Sequence, residues 1–529
     1  MPHHAVLKET SSTTKLRVVF SGSEKGSNGV SLSDILKIGP KIQDDLFDIV
    51  QRFRLHGIVM SDDVVKMYRQ VWVYPDDRCL QRILWRKAPD QPVTTYKLNT
   101  ATYGTASAPF LATRCLQQLI EDEAINYPEE ATIARDGFYV DDLITGTDDV
   151  DTALSLQQDL IDMLRKGGFT LRKWLSNHPA LLKHLPPEDV ERRLLLSFGN
   201  GDVIKVLGLL WNSTTDKLIF CVQINQDTTP TKRSVLRAIA SIYDPLGLLS
   251  PVIIQCKMFM QQLWQIEVHW DDQLTTELKE HWQRLQHKLS IVNGIQIDKL
   301  VISKEKLRRI ELHGFSDISE VAYGACIYLR QTDVQGNITT RLLCSKSRIA
   351  SLKRLSLPRL ELCAAMLLAD MYQASSRALK ISFNKTRFCT DSMIVLAWLK
   401  SPAARWKTFV AYRVNHIQEI TNIEDGSHIS SKENPPDLVS CGVDANVLKN
   451  LSLWWRGPNW LQQVEASWPK CEEIADISEE KKIVSPTPVV SLLTQLSLEE
   501  VFTKFASWNK LQRVTAYCLR FIHNCQTVF

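Results

Sequence analysis

Hydrophobic and polar positions repeat with two periods along the chain, and the switches between them mark out the elements. Residues 15–20 alternate, setting Lys15 and Arg17 on one face of a strand that ends at Phe20. A polar, glycine-rich loop follows over 21–29. Apolar residues then recur at helical spacing through Ile42, Leu46, Ile49 and Phe53, predicting a helix over 33–56. Ile58, Val59 and Met60 lead a strand into Ser61, Asp62 and Asp63, and a run of small residues over 99–109 opens a helix over 110–121. The segment from Gly137 to Gly146 reads as strand, tight turn and strand, with Asp141 and Asp142 at the turn. An amphipathic helix through Ala153, Leu156, Leu160 and Leu164 stops at Gly167 and Gly168, and strands are expected over 169–174 and 205–211.

Farther on, helices are expected over 231–243, with a basic edge at Lys232, Arg233 and Arg237, and over 253–266 and 274–289; Asp244, Pro245 and Gly247 break the first from the second. Alternation over 312–317, 323–329 and 339–346 predicts an antiparallel meander. Pro358 then opens a helix over 359–369, a strand over 387–391 precedes a helix over 392–399, and Asp437 opens a short helix.

Several of these elements end in acids that apolar neighbours flank. Asp141 and Asp142 at the tip of an otherwise buried hairpin are costly unless a cation neutralises them. Two-metal phosphoryl transfer needs such carboxylates, and Asp63, at the end of a nearby strand, supplies a third. A second set lies downstream. Alternation puts Asp317 on the face of Phe315, Glu361 is the lone acid of an apolar helix, Asp391 ends a strand and Asp437 opens a helix. Taken singly, a solvated hairpin turn explains Asp141 and Asp142 equally well, each acid of the second set reads more readily as structural or solvated, and the small residues over 99–109 as a tight helix contact.

Composition narrows the class without naming it. The 529 residues suffice for about three cores, and 44% hydrophobic with 23% charged residues is ordinary globular usage. A net charge of +4 does not announce nucleic acid, although cations gathered along one cleft remain compatible with it. The 12 cysteines form no Cys-x-x-Cys pair, which fits reduced thiols and an intracellular, cytoplasmic setting. Neither a signal-peptide core nor an apolar run near ~18 residues occurs, so no membrane partner is expected.

In this order, 16–20, 27–32, 43–54, 66–86, 103–116 and 137–146 resemble the reverse transcriptase of long-terminal-repeat retrotransposons, most closely the BEL/Pao group. The resemblance implies a right-hand polymerase of α+β and α/β domains with Asp63, Asp141 and Asp142 as catalytic carboxylates. Spacing to Tyr68 selects Asp63, with Asp62 as fallback. It further implies that Tyr68 excludes a 2′-OH, that Lys15 and Arg17 contact the triphosphate, and that Gly104 and Pro109 lie beside the nucleotide. Lys173 is the implied proton donor to pyrophosphate, and Leu207, Gly208 and Trp211 the primer grip. Asp317, Glu361, Asp391 and Asp437 resemble the four acids of ribonuclease H. Each set implies two Mg²⁺ or Mn²⁺ ions, held by Asp63 and Asp141 in one and by the four acids in the other. Two positions depart from the pattern: Ser21 stands where an Asp is usual, and Cys441 where a basic residue is usual. His428 lies near where many ribonucleases H carry a product-release histidine, although a surface histidine reads equally well.

The implied organisation is reverse transcriptase fingers and palm over 1–215, with fingers that begin upstream of Met1, and helical thumb and connection over 216–300. A ribonuclease H-like domain follows over 301–445, and a linker and helical segment over 446–529, where Ser497 and Glu500 are spaced as a capping box. That last segment resembles the approach to an integrase, whose His-His-Cys-Cys set the chain does not reach. The implied partners are RNA template, DNA primer, RNA–DNA hybrid, deoxynucleoside triphosphates and the integrase and protease of the same polyprotein, in the cytoplasm or in virus-like particles. Two alternatives stand beside a polymerase-nuclease: an inactive or co-opted remnant that binds nucleic acid, and an aspartic peptidase, because the same family region is also known as the Pao retrotransposon peptidase. No Asp-Thr-Gly or Asp-Ser-Gly tripeptide occurs in the chain.

Overall fold

The computed structural model describes residues 1–7, 15–191, 203–222, 229–304, 307–353, 355–469, 480–481 and 507–526. Strands β1 (His3–Leu7) and β2 (Leu16–Phe20) pair antiparallel as a ribbon. The helix expected over 33–56 is broken into α1 (Leu32–Ile35), closed by a Ser31–Asp34 capping box, and α2 (Leu46–Phe53). Gly39, at φ +82°, followed by Pro40 accounts for the interruption, since neither residue carries a helix onward.

The palm-like layer starts at β3 (Ile58–Val64) and one turn of helix, α3 (Met67–Gln70). A second ribbon, β4 (Arg82–Trp85) with β5 (Thr94–Lys97), leads to α4 (Ala108–Glu123) and α5 (Pro128–Gly137). The expected hairpin follows as β6 (Phe138–Tyr139) and β7 (Asp142–Thr147); Val140 takes φ +59° at its turn. Helix α6 (Val150–Lys166) ends at Gly167, and β8 (Leu171–Ser176) and α7 (Ala180–Lys183) complete the layer. The sheet order is β6-β7-β3-β8, all antiparallel, over a core that includes Met60, Leu116, Leu160 and Trp174.

The single strand expected over 205–211 is a hairpin, β9 (Val203–Val206) and β10 (Leu209–Asn212). Leu207 (φ +45°) and Gly208 (φ +90°) make its two-residue turn, a left-handed pair that matches strand twist. With β11 (Lys217–Ile219) and, beyond helices α8 (Lys232–Ala240), α9 (Ser250–Gln265) and α10 (Thr276–Ser290), β12 (Gln296–Asp298), it forms a second sheet of order β12-β11-β10-β9.

The third sheet is the expected meander extended by two parallel strands: β13 (Leu307–Ile318), β14 (Ala322–Asp333), β15 (Ile338–Ile349), β16 (Lys385–Thr390) and β17 (Gly426–His428), in the order β15-β14-β13-β16-β17. Helix α11 (Leu357–Leu379) packs on one face, where a Cβ at Gly314 would meet Leu368. Helices α12 (Met393–Lys400) and α13 (Thr408–Ile420) build a satellite core with α11 around Trp398 and Trp406. Helix α14 (Asp437–Cys441) covers the opposite face, where Val439 fills the space a side chain at Gly324 would take.

By contacts, residues 1–481 form one compact unit and 482–529 a second. The chain after 445 packs back through α15 (Ala445–Leu448) and α16 (Ser452–Arg456) rather than leading away. Fully buried Trp454 donates to the carbonyl of Leu248 at 2.9 Å, and Arg330 donates to the carbonyls of Leu461 and Gln463, each at 2.9 Å. One core therefore runs from Phe53 through Trp211 and Trp282 to Phe315, Trp454 and Trp468. In the second unit a helix spans Trp508–Gln526; Ser497 and Glu500 lie outside the described residues.

Arg54, fully buried at the end of α2, ties that helix to the third sheet. Its guanidinium donates to the carbonyls of Leu343 (2.7 Å), Leu342 (3.1 Å) and Lys299 (3.1 Å). Arg54→Ala strips those carbonyls of their donors and opens a void, so urea denaturation is expected to show a loss of about 3 kcal/mol or more. A loss under about 1 kcal/mol would show that the layers are held by other contacts.

Candidate active sites

Two groups of carboxylates assemble from separated stretches of chain. In the first, ladder register sets Asp63 on β3 directly opposite Asp142 on β7, and the Asp141 carbonyl accepts from Val64 N–H at 2.8 Å. Burial, with repulsion from Asp141 and Asp63, pushes Asp142 up to about 7. Asp141 is raised by burial first and by Asp63 second. The Lys173 ammonium on β8 forms an ion pair with Asp63 and lowers Asp141 and Asp142, so it is the counter-charge for all three. Strand alternation turns Asp62 to the other face, where both carboxylate oxygens are buried without a partner among the described residues and burial holds the acid well above its ordinary range. The doubled acid is thereby sorted: Asp63 lies opposite Asp142, and Asp62 turns into the core.

The second group gathers at one end of the third sheet. Parallel pairing of Ser316 with Thr390 brings the next residues, Asp317 and Asp391, side by side; α11 adds Glu361 and α14 adds Asp437. Asp317 is pushed up to about 7 by burial, then by the Asp391 and Asp437 charges, while Glu361 is raised by burial and Asp391. Among the described residues none of the four has a basic side chain at ion-pair distance. Neutral donors hold them instead. Ser440 Oγ donates to Asp317 Oδ2 at 2.8 Å and Asn434 Nδ2 to Asp317 Oδ1 at 3.2 Å. Ser431 Oγ donates to Asp391 at 2.6 Å, Cys441 Sγ to Asp437 at 3.3 Å, and Ser392 to Glu361.

These donors were missed by sequence reasoning, although Ser392 follows Asp391 directly and Asn434 and Ser440 each stand three residues from Asp437. Cys441, where a basic residue was expected, is one of them. His428 on β17 pairs with Thr390, one residue from Asp391.

The remaining expected residues fall into three places. Tyr68 lies close enough to Asp141 for that charge, after burial, to raise its phenol, and its ring meets Tyr103 at 6.3 Å. Gly104, at φ +89°, lies against the Phe20 carbonyl, and its own carbonyl accepts from Gly22 N–H at 3.1 Å; the small residue serves a close approach of two backbones. Pro109 sits in the first turn of α4. Lys15 and Arg17 are exposed beside or on β2 and make no ion pair among the described residues. Of the primer-grip set, Leu207 and Gly208 form the β9–β10 turn, held by Tyr243 Oη on the Leu207 carbonyl at 2.7 Å. Trp211 is fully buried against Phe53 and donates to Asp216 at 3.0 Å, so it is a core residue.

Both groups offer only oxygen donors, which suits a hard dication such as Mg²⁺ or Mn²⁺, and the second holds clustered charge with no cation beside it. As the side chains stand, no three His, Cys, Asp or Glu among the described residues close around a common point. Loading either site therefore requires the carboxylates to draw together and, in the first, Lys173 to give ground.

Comparison with known proteins places the architecture. Residues 231–392 match the family model described as a Pao retrotransposon-like RNaseH-like domain, a stretch that begins at α8 and includes Asp317, Glu361 and Asp391. No curated protein sequence matches the chain. Among solved structures, the foamy viral protease-reverse transcriptase in complex with an RNA/DNA hybrid superposes with a TM-score of 0.51 at 14% identity, over 89% of this chain and 53% of that one. A foamy viral protease-reverse transcriptase dRH in complex with double-stranded DNA gives 0.51 at 14% identity, over 82% and 65%. The chain spans less than two thirds of either, and at that identity the likeness is one of fold: a mixed α and β architecture shared with a reverse transcriptase. No described helix is long and apolar enough to cross a membrane.

The raised carboxylates carry a sign for stability. Asp142 and Asp317 titrate near 7 when folded and near ~4 when unfolded, so their contribution is complete below about pH 4 and is lost as pH rises through 7. In chelator, urea midpoints of wild type are expected to fall between pH 5 and 8 by more than those of Asp142→Asn or Asp317→Asn. Parallel pH profiles would mean that neither acid is perturbed.

Proposed function

We propose that the chain is a two-centre phosphoryl-transfer enzyme of a BEL/Pao-type element: an RNA-directed DNA polymerase at Asp63, Asp141 and Asp142, and a ribonuclease H at Asp317, Glu361, Asp391 and Asp437. The observation that carries it is the second cluster. Four carboxylates, from β13, the end of β16, α11 and α14, gather at one end of the sheet, from buried Asp317 out to exposed Asp437, with no basic partner among the described residues. Such clustering is costly in a merely structural role. The family match over 231–392 supports the same reading.

Asp63 and Asp141, with Asp142 behind them, are the residues that would hold metal in the palm, and the four acids those that would hold it in the nuclease. Two ions per site would activate the attacking oxygen and stabilise the leaving one. The rest of the work belongs to side chains. Tyr68, half-buried beside Asp141, would bound the sugar of an incoming deoxynucleoside triphosphate and exclude a 2′-OH. Lys173 holds an ammonium against Asp63 that can turn to a departing pyrophosphate. In the nuclease, Ser440 and Asn434 fix both oxygens of Asp317, and Ser431 orients Asp391. The substrates are a primed RNA or DNA template and an RNA–DNA hybrid, with other parts of the polyprotein as partners. A second reading, a remnant that grips nucleic acid without turnover, draws on one observation: Lys173 already occupies Asp63. Without an Asp-Thr-Gly or Asp-Ser-Gly tripeptide, the peptidase reading has no nucleophile-activating pair to work with.

Primer extension and hybrid cleavage, each with Mg²⁺ or Mn²⁺, separate the readings. Asp141→Asn/Asp142→Asn is expected to lose extension by on the order of 10²-fold or more while keeping cleavage, and Asp317→Asn the reverse. No extension and no cleavage by wild type, with hybrid binding retained, would establish the remnant. Ser440→Ala is expected to cut hybrid cleavage about 10–100-fold and weaken Mn²⁺ binding measured by calorimetry, with Ser440→Thr recovering part of both. Unchanged cleavage and Mn²⁺ affinity in Ser440→Ala would remove that residue from the mechanism.

A further inference from the structure

The carboxylates of the palm-like layer hang on a two-residue turn, Val140 and Asp141, between β6 and β7, and that turn is strained. Val140 sits at φ +59°, whereas Asp141 does not take positive φ. Positive φ at the first turn residue alone is a pattern that glycine fills, and a valine fits it badly because its branched Cβ crowds the backbone. Among the described residues Val140 is the one β-branched side chain held in that region. Strain of this kind persists only where the surroundings over-determine the conformation. A group from outside the hairpin supplies the hold: Gln43 Oε1 accepts from Val140 N–H at 3.0 Å.

Gln43 lies in the loop between α1 and α2, and the chain on both sides of it is anchored. The Ile42 carbonyl accepts from Gln117 Nε2 on α4. Asp44 pairs with Arg52 at 2.7 Å, and Arg52 on α2 donates at 2.6 Å to the carbonyl of Asp136, just before β6. Loop and helix thus brace the hairpin twice, at its tip through Gln43 and near its base through Arg52. A neutral amide does so without placing charge beside Asp141 and Asp142, where a carboxylate would repel them and an ammonium would compete with a cation. We propose that Gln43 is a positioning residue of the palm centre, holding Val140 in its left-handed turn so that Asp141 and Asp142 keep one orientation. A shift of about 1 Å in a reacting group can cost on the order of 10²-fold in rate. The effect on extension rests on the polymerase reading; the hold on the turn does not.

The test compares wild type with Gln43→Met, which keeps the side-chain volume and removes the amide acceptor, alone and combined with Val140→Gly. In Gln43→Met, kcat for single-nucleotide extension is expected to fall about tenfold or more, with KM for the triphosphate within about twofold. Hybrid cleavage stays unchanged, and amide deuterium uptake quickens in the peptide covering 138–147 alone. Glycine relieves the strain, so in the Val140→Gly background the same substitution is expected to cost under about threefold. Unchanged kcat and uptake overturn the assignment, and so does full additivity with Val140→Gly. Loss of extension and cleavage together, with faster uptake throughout the chain, also overturns it, because that is what a merely structural residue gives. If wild type extends no primer, the polymerase reading fails and uptake alone decides. A hairpin loosened in Gln43→Met then keeps the hold on the turn, and an unchanged hairpin removes it.

Discussion

The open edge of β15 is the constraint on which the rest depends. An unpaired strand edge exposes alternating N–H and C=O groups that must be satisfied if they are buried. Here partners from earlier in the chain satisfy them. Arg54 takes the carbonyls of Leu342 and Leu343, Leu246 accepts from Ser345 N–H at 2.8 Å, Lys257 takes Ser347, and Gln261 donates to the Ala350 carbonyl at 3.0 Å. The turn at Asp244, Pro245 and Gly247 fits because the glycine, at φ +70°, lets the backbone come against Ser345. Helices α2 and α9 are thus bonded to the sheet itself, and residues 1–481 make one unit.

On the other side of the same sheet a buried ionic group does similar work for the chain after 445. Glu311, fully buried, accepts from Arg330 at 2.9 Å and Arg309 at 2.8 Å and meets His313 at 2.9 Å. Arg330 spends its other donors on the carbonyls of Leu461 and Gln463, and the Trp468 ring lies under its guanidinium at 5.2 Å. With both oxygens of its carboxylate paired, Glu311 can be buried, and the network specifies one docking of the tryptophan-rich segment.

The two acid clusters answer the same electrostatic problem differently. In the palm-like layer a lysine supplies the positive charge from a neighbouring strand. In the nuclease-like layer hydroxyl, thiol and amide donors orient the carboxylates without cancelling their charge. The first arrangement is stable without a ligand; the second retains its demand for a cation.

Much was legible in the chain because it follows from local periodicity. The Asp141–Asp142 hairpin, the α6 stop at Gly167, the meander and the helix opened near Pro358 all appear where alternation and punctuation put them. Local signals also misled. Apolar spacing carried a helix across Gly39 and Pro40, and a run of β-formers hid the turn at Leu207 and Gly208. The amino-acid order alone determined which residues are acidic and which strands and helices bear them, and it left Asp62 as fallback to Asp63 until the structure turned Asp62 into the core. Only the tertiary structure decided that Lys173 answers Asp63, that Asn434 and Ser440 grip Asp317, that Trp211 is core, and that 445–468 folds back. Those contacts join residues far apart in sequence, and no short-range period encodes which long-range partner will satisfy a buried charge or a bare strand edge.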